Sequence, residues 1–302
     1  MENEIILLDS IETFNRVCGF ETLHPLVAIV NMAEAKGNFG HARLNYGLYA
    51  LWLKNGVGCR MKYGRRYYDY QEGTVVSLAP GQMVQTEPLD TAATPQAIGL
   101  LFHPDLIRGT FLGQHIHEYH FFDYASNEAL HTSERERQTY IDCIAKIQQE
   151  VERPIDKFSR RLICQNIQLL LDYCLRFYDR QFITREDDNH DVIVRFEKEL
   201  NEYFSNNSFM AAGIPTVKYF AEKCFLSPNY FGDLVKKETG KTPQEYIQAK
   251  VIDLAKELLM DTKLSVAQVA DRLGFEYSQH FNRYFKRSVG LTPTEYRKQQ
   301  AV

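Results

Sequence analysis

The chain has 302 residues, 44% of them hydrophobic and 25% charged, a balance that excludes a disordered or fibrous protein and predicts two domains at roughly 150 residues each. No apolar run approaches the roughly 20 residues that span a bilayer, and the acidic start Met1-Glu-Asn-Glu4 lacks the features of a secretory signal, so no membrane partner and a cytoplasmic location are expected. The net charge of −4 divides unevenly at Asp191, with 19 Lys+Arg against 25 Asp+Glu before it and 16 against 14 from it onward, which leaves only the carboxy-terminal part suited to a polyanion.

From Leu23 to about Leu101 the chain reads as short strands: apolar runs such as Leu26-Val-Ala-Ile-Val30 are broken by Gly37, Gly40, Gly56, Gly58, Gly73 and Gly81. This pattern predicts a barrel or sandwich. Tyr46-Gly-Leu-Tyr-Ala-Leu-Trp-Leu53 is apolar at both alternating sets of positions, so both faces of that strand should be covered. After His103-Pro104 the pattern turns helical. Ser133-Glu-Arg-Glu136 is a capping box opening a helix to Val151, and a second helix follows from about Asp156 to Tyr178. Joined through Arg153-Pro154, the two read as an antiparallel pair whose apolar stripes suit a homodimer interface. The polar, aperiodic run Thr184–His190 is the expected linker, giving domains 1–183 and 191–302. Cys18, Cys59, Cys143, Cys164, Cys174 and Cys224 form no Cys-x-x-Cys pair and read as reduced thiols.

The carboxy-terminal part contains a duplication. Val217–Lys223 matches Val266–Arg272, Phe231 matches Phe281, Lys236-Lys237 matches Lys286-Arg287, Gly240 matches Gly290, and Thr242-Pro-Gln-Glu-Tyr246 matches Thr292-Pro-Thr-Glu-Tyr296. The period is about 50 residues, with one residue inserted in the second turn. Each copy reads as helix, turn, helix, with Thr216, Ser227-Pro228 and Ser265 at helix starts, Gly240 and Gly290 at helix ends, and Ala221 and Ala270 where two helices cross. Such a unit can place its second helix in a major groove. Between the copies, a helix opening at Thr242 and running to about Asp261 is a rod of roughly 28 Å, close to the roughly 34 Å of one B-DNA turn. Phe220, Phe231, Leu234, Val235, Leu273, Phe275, Phe281 and Phe285 fall at core spacings.

On the second recognition helix Gln279, His280 and Arg283 project from the first turns; Gln suits adenine N6/N7 and Arg suits guanine O6/N7. Lys286, Arg287 and Arg297 suit phosphates, as do Lys236 and Lys237 in the first copy.

The array of two helix-turn-helix units, a connecting helix and the closing residues Ala270-Asp-Arg-Leu-Gly-Phe275, Phe281-Asn-Arg-Tyr-Phe-Lys286, Gly290 and Thr292-Pro-Thr-Glu-Tyr-Arg297 resembles the DNA-binding domain of AraC/XylS transcription regulators over the last 110 or so residues. The amino-terminal part resembles, by fold pattern, the cupin-like sensing domain and helical dimerisation pair of many members. The resemblance implies an α+β chain: a β-rich cupin-like barrel with a helical pair, then an all-α DNA-binding domain. It also implies a sequence-specific transcriptional regulator, commonly an activator, that binds double-stranded DNA, works with RNA polymerase and answers a small-molecule effector. Aligned with the family, Asn229, Gly232, Asp233 and Lys236 face the groove in the first unit, although members often carry a basic residue where Asp233 stands. Asp233 suits cytosine N4 or pairs with a neighbouring lysine, and Gly232, unfavourable by roughly 1 kcal/mol in a helix interior, suits close approach to DNA. Most base specificity is therefore expected from the second unit.

Tyr46, Trp52, Tyr63, Arg65 and Tyr68 make the middle of the first domain aromatic and basic, as an effector pocket for a sugar or small anion would be. Metal-using cupins place a His-x-His on one strand, which Tyr63–Tyr70 lacks, and His115-Ile-His117-Glu-Tyr-His120 falls after the strands. No metal, no cofactor and no catalysis are expected. The alternatives are a cupin-type enzyme with an accessory DNA-binding domain, and a constitutive DNA-binding protein whose first domain only dimerises.

Overall fold

The computed structural model describes residues 5–37, 39, 42–54, 59–63, 66–67, 73–88, 96–125, 128–184, 186–205 and 213–300. The chain divides into two compact units, Met1–Thr184 and Arg185–Val302, the first rich in strands and the second helical.

In the first unit the described strands are β1 (Ile5–Leu8), β2 (Val27–Asn31), β3 (Arg43–Tyr46), β4 (Tyr49–Lys54), β5 (Cys59–Tyr63), β6 (Arg66–Tyr67), β7 (Thr74–Leu78), β8 (Met83–Pro88), β9 (Ala97–Phe102) and β10 (Leu130–His131). They form two five-stranded sheets, ordered β1-β3-β8-β5-β6 and β10-β7-β4-β9-β2. Only the β1–β3 pair among these is parallel. β4 lies between β7 and β9, and Ala50 to Lys54 are all buried, so both of its faces are covered as its composition requires. Ala50 and Trp52 join Leu44, Tyr46 and Val84 of the other sheet in one apolar core. Trp52 is paired with Gly99, and a Cβ on that glycine would collide with the indole, so the absent side chain makes room for the ring.

Helix α1 (Ile11–Cys18) adds Ile11, Phe14 and Cys18 to this core; Ser10 caps it and Gly19, at φ 76°, ends it. Short helices α2 (Pro104–Ile107) and α3 (Phe111–His115) follow β9. Helix α4 (Glu134–Val151) opens on the expected capping box, with the Ser133 N–H donating to Glu136 at 2.8 Å and the Glu136 N–H to the Ser133 hydroxyl at 3.4 Å. Helix α5 (Ser159–Thr184) packs on α4 and continues past Tyr178, the expected end, because Gln181 and Phe182 are buried. The Gln181 amide donates to the Ala129 carbonyl and accepts from the His131 N–H, fastening α5 to β10. Across the pair, Arg180 donates to both carboxylate oxygens of Glu136 at 3.0 and 2.7 Å.

The second unit contains α6 (Glu186–Ser205), α7 (Val217–Lys223), α8 (Pro228–Thr239), α9 (Pro243–Met260), α10 (Val266–Arg272), α11 (Ser278–Val289) and α12 (Pro293–Gln300). The polar run expected as a linker is helical from Glu186. Here packing overrides composition: Phe196, Leu200, Tyr203 and Phe204 recur at helical spacing and are buried, and Asn189 is buried ahead of them. The Phe196 ring sits among Phe220, Phe231 and Tyr246 at 5.3, 5.1 and 5.6 Å. A second aromatic chain runs Phe275–Phe281–Phe285–Tyr296 with centroids 5.3 to 5.7 Å apart. Among the described residues, no helix is long and apolar enough to cross a membrane.

Candidate nucleic-acid interface

The two copies of the duplication close their turns alike. Leu226 N–H donates to the Ala221 carbonyl at 2.9 Å and Phe275 N–H to the Ala270 carbonyl at 3.0 Å, while both alanines are buried at the helix crossing. The residue before each of these amides has positive φ: Gly274 at 77° in the second unit and Phe225 at 62° in the first. For a side-chain-bearing residue this conformation is unfavourable by roughly 1–2 kcal/mol, and the Phe225 ring lies against the Arg195 guanidinium at 4.5 Å.

In the first unit Ser227 caps α8, its hydroxyl accepting from Tyr230 N–H at 3.3 Å, and Gly240 ends the helix at φ 73° with its N–H on the Lys236 carbonyl. Tyr230, Phe231, Leu234 and Val235 are buried. At 100° per residue the opposite stripe is Asn229, Gly232, Asp233 and Lys236. Asn229, Lys236 and Lys237 are exposed, and Gly232 and Asp233 are half-buried. Asn229, Asp233 and Lys237 are also engaged by neighbouring groups. Behind the helix, the buried Asn189 amide of α6 donates to the Glu238 carboxylate at 3.0 Å, so the helix that opens the second unit holds the recognition helix directly.

In the second unit α11 buries only Phe281 and Phe285. Gln279, His280, Asn282, Arg283, Lys286 and Arg287 are all exposed. The stripe equivalent to that of α8 is Gln279, Asn282, Arg283 and Lys286; His280 stands to its side, where the first unit buries Tyr230, and packs edge-on against Tyr277 at 5.4 Å. Two further exposed residues belong to this face. Asn282 follows from extending the Phe231–Phe281 register by one residue; Tyr277, 55% exposed at the start of α11, stands at the insertion, where the repeat offers no guide. Gln248 of α9 donates to Ser288 at 2.6 Å, tying the connecting helix to α11.

Residues 220–299 match a family described as a helix-turn-helix domain. The Bacillus subtilis HTH-type transcriptional regulator YobQ is 38% identical over 82 residues, covering 27% of this chain and 34% of YobQ. The carboxy-terminal domain of the response regulator YesN from Fusobacterium nucleatum is 30% identical, covering 34% of this chain and 93% of that one, with a TM-score of 0.30. A Chromobacterium violaceum transcriptional regulator with an AraC-type DNA-binding domain is 27% identical over 35% of this chain and 94% of its own, with a TM-score of 0.28. The chain carries an AraC-type helix-turn-helix domain at its carboxy terminus. It spans about a third of the length of YobQ.

Within the AraC-type domain, Arg297 is used internally: its Nε donates to the Leu259 carbonyl at 2.8 Å, near the end of α9, and its Nη2 is buried without a hydrogen-bond partner. A guanidinium spent on the orphan carbonyls of a helix end is a C-cap, a role distinct from the phosphate contact its charge suggests. Glu245 and Glu295 close the capping boxes of α9 and α12. Hydrogen bonds from the backbone and hydroxyl of Thr242 and Thr292 hold these carboxyls below the usual range.

In the strand-rich unit Met1–Thr184, Tyr46 and Trp52 of the expected pocket lie in the core shared by the two sheets, where Phe14 approaches the indole at 5.9 Å. The Trp52 Nε1 is buried and has no hydrogen-bond partner. Tyr63 is at the end of β5, and Arg65 and Tyr68 lie outside the described residues. His115 ends α3, with its ring stacked on Phe111 at 4.1 Å. Among the described residues there is no group of three His, Cys, Asp or Glu side chains placed to hold a metal ion. Burial raises the thiol pKa of Cys18 to about 12 and that of Cys224 to about 11, which suits packing rather than nucleophilic chemistry.

Proposed function

We propose that the chain is a sequence-specific, double-stranded-DNA-binding transcriptional regulator, an activator that works with RNA polymerase in the cytoplasm under the control of a small-molecule effector. The observation that carries this is the pair of recognition helices. Each carries a stripe, Asn229, Gly232, Asp233 and Lys236 in one and Gln279, Asn282, Arg283 and Lys286 in the other, that ends in an exposed lysine, and the 18-residue helix α9 between the units is about 27 Å long, near one turn of B-DNA. Gln279, Asn282 and Arg283 read base edges, with His280 and Tyr277 beside them; Asn229 and Asp233 face the first box, where they add little to base choice. Lys236, Lys237, Lys286 and Arg287 neutralise phosphates.

The amino-terminal domain, residues 1–183, is assigned to sensing and dimerisation, as a cupin-like barrel with its helix pair. Tyr46, Trp52, Tyr63, Arg65 and Tyr68 are assigned to the effector pocket. The unpartnered Trp52 N–H supports this, since an effector oxygen would satisfy a donor that burial otherwise leaves costly. Leu169, Leu175 and Ile183, exposed along α5 while its inner stripe is buried, support dimerisation through the helix pair. The relatives are named as regulators, and no catalytic role is assigned to any residue.

The test is capture of fragmented genomic DNA by the full-length protein and by Arg283→Ala. A shared motif of two boxes about one helical turn apart, blurred in the variant, is the expected result. Retention of DNA without sequence preference by the wild type, with and without a metabolite extract, would contradict the assignment.

A further inference from the structure

Gly232 stands in the interior of α8, where glycine is among the least favourable residues. Two ordinary reasons for a glycine do not apply here. Its φ is not in the left-handed region, unlike that of Gly240, Gly274 and Gly290, so the backbone does not require it. A Cβ built there meets nothing within 4 Å, so packing does not require it either. Among the described glycines with ordinary φ, the others are crowded: Gly99 by the Trp52 ring, Gly37, Gly47 and Gly113 by backbone. Gly232 alone of these faces open space. Its position is also the groove-facing stripe, flanked by Asn229, Asp233 and Lys236, and the equivalent position of the second unit carries an exposed side chain, Asn282.

We infer that Gly232 is a close-approach position, at which the bare backbone of α8 lies against the DNA and the first box is recognised through the surface of the helix instead of a side chain. This rests on the DNA-binding reading above. It assigns the two units different readouts at equivalent positions: steric fit to groove shape at 232, hydrogen bonding at 282. Anything larger than hydrogen at 232 would hold the first recognition helix away from the duplex and weaken the contacts of Asn229 and Lys236 together.

The experiment uses the full-length protein with Gly232→Ala and Gly232→Leu, both good helix formers, against an operator fragment recovered by genomic capture, with Arg283→Ala in parallel. Melting temperatures of the alanine and leucine variants should equal or exceed the wild type. Affinity should fall in steps with side-chain size, by roughly tenfold for alanine and more for leucine, with footprint protection lost first at the first box. A rise in stability with a fall in affinity cannot come from damaged folding. If both variants bind as tightly as the wild type while Arg283→Ala does not, the close-approach inference fails and the DNA-binding reading stands. If the wild type itself selects no duplex, both fail.

Discussion

The two helix-turn-helix units share their caps, their turn hydrogen bonds and their buried alanines, yet they spend their recognition helices differently. α8 buries Tyr230, Phe231, Leu234 and Val235, is backed by Phe196 of α6 and is held by Asn189 through Glu238. α11 buries Phe281 and Phe285 alone and leaves six polar side chains between Gln279 and Arg287 exposed. More of α8 is therefore committed to the fold, and more of α11 to whatever lies outside it. A duplicated motif need not divide recognition evenly: one copy can be an anchor set by packing, the other a reader set by exposed chemistry.

The sharpest way to break this comparison is to remove the packing of the first unit. Phe196→Ala deletes the ring that touches Phe220, Phe231 and Tyr246 and should cost about 3–5 kcal/mol, seen as early thermal unfolding and loss of all DNA binding. Arg297→Ala comes next. Loss of a charged hydrogen bond to the Leu259 carbonyl should cost about 1.5–3 kcal/mol of stability, with the salt dependence of DNA binding unchanged. A flatter salt slope would instead restore Arg297 to the phosphate contacts. Arg283→Ala should leave the melting temperature alone and remove about 1–3 kcal/mol of base discrimination in the second box. Selection of randomised duplexes measures that loss.

A smaller effect concerns what the two halves share. Glu245 and Glu295 have folded pKa values below the ordinary 4.5, so their contribution to stability is fully present above that pH and is lost as pH falls through the depressed folded values. Melting temperature should drop on acidification below about pH 4.5, and Glu245→Gln with Glu295→Gln should flatten that part of the drop. Smallest of all, Asp233→Ala should leave sequence preference unchanged, with affinity altered by a few tenths of a kcal/mol.

Much of the second unit was legible because its signals are local. Thr216, Ser227, Thr242 and Ser265 cap helices by hydrogen bonds to residues three positions on, and Gly240 and Gly290 end them, all within one turn of chain. The recognition stripes follow once Phe231 and Phe281 fix the register. What escaped depends on distant partners. Nothing near Thr184–His190 announces a helix, because Asn189 and Phe196 are satisfied by Glu238 and by aromatic residues 24 or more positions away. The charge of Arg297 suggested a phosphate, and only the fold shows the Leu259 carbonyl in its reach. β10 is two residues long, pairs with β7 more than 50 positions earlier, and has its His131 N–H held by Gln181 of α5, again at long range.

In the proposed division of labour the second helix-turn-helix unit reads bases while the first docks by fit. Selection of randomised duplexes by the full-length protein, scored base by base, tests it directly. Two boxes about one helical turn apart are expected, one strongly restricted and erased by Arg283→Ala, the other weakly restricted and insensitive to Asp233→Ala. Two boxes of equal restriction, or a strong box that survives Arg283→Ala, would contradict it.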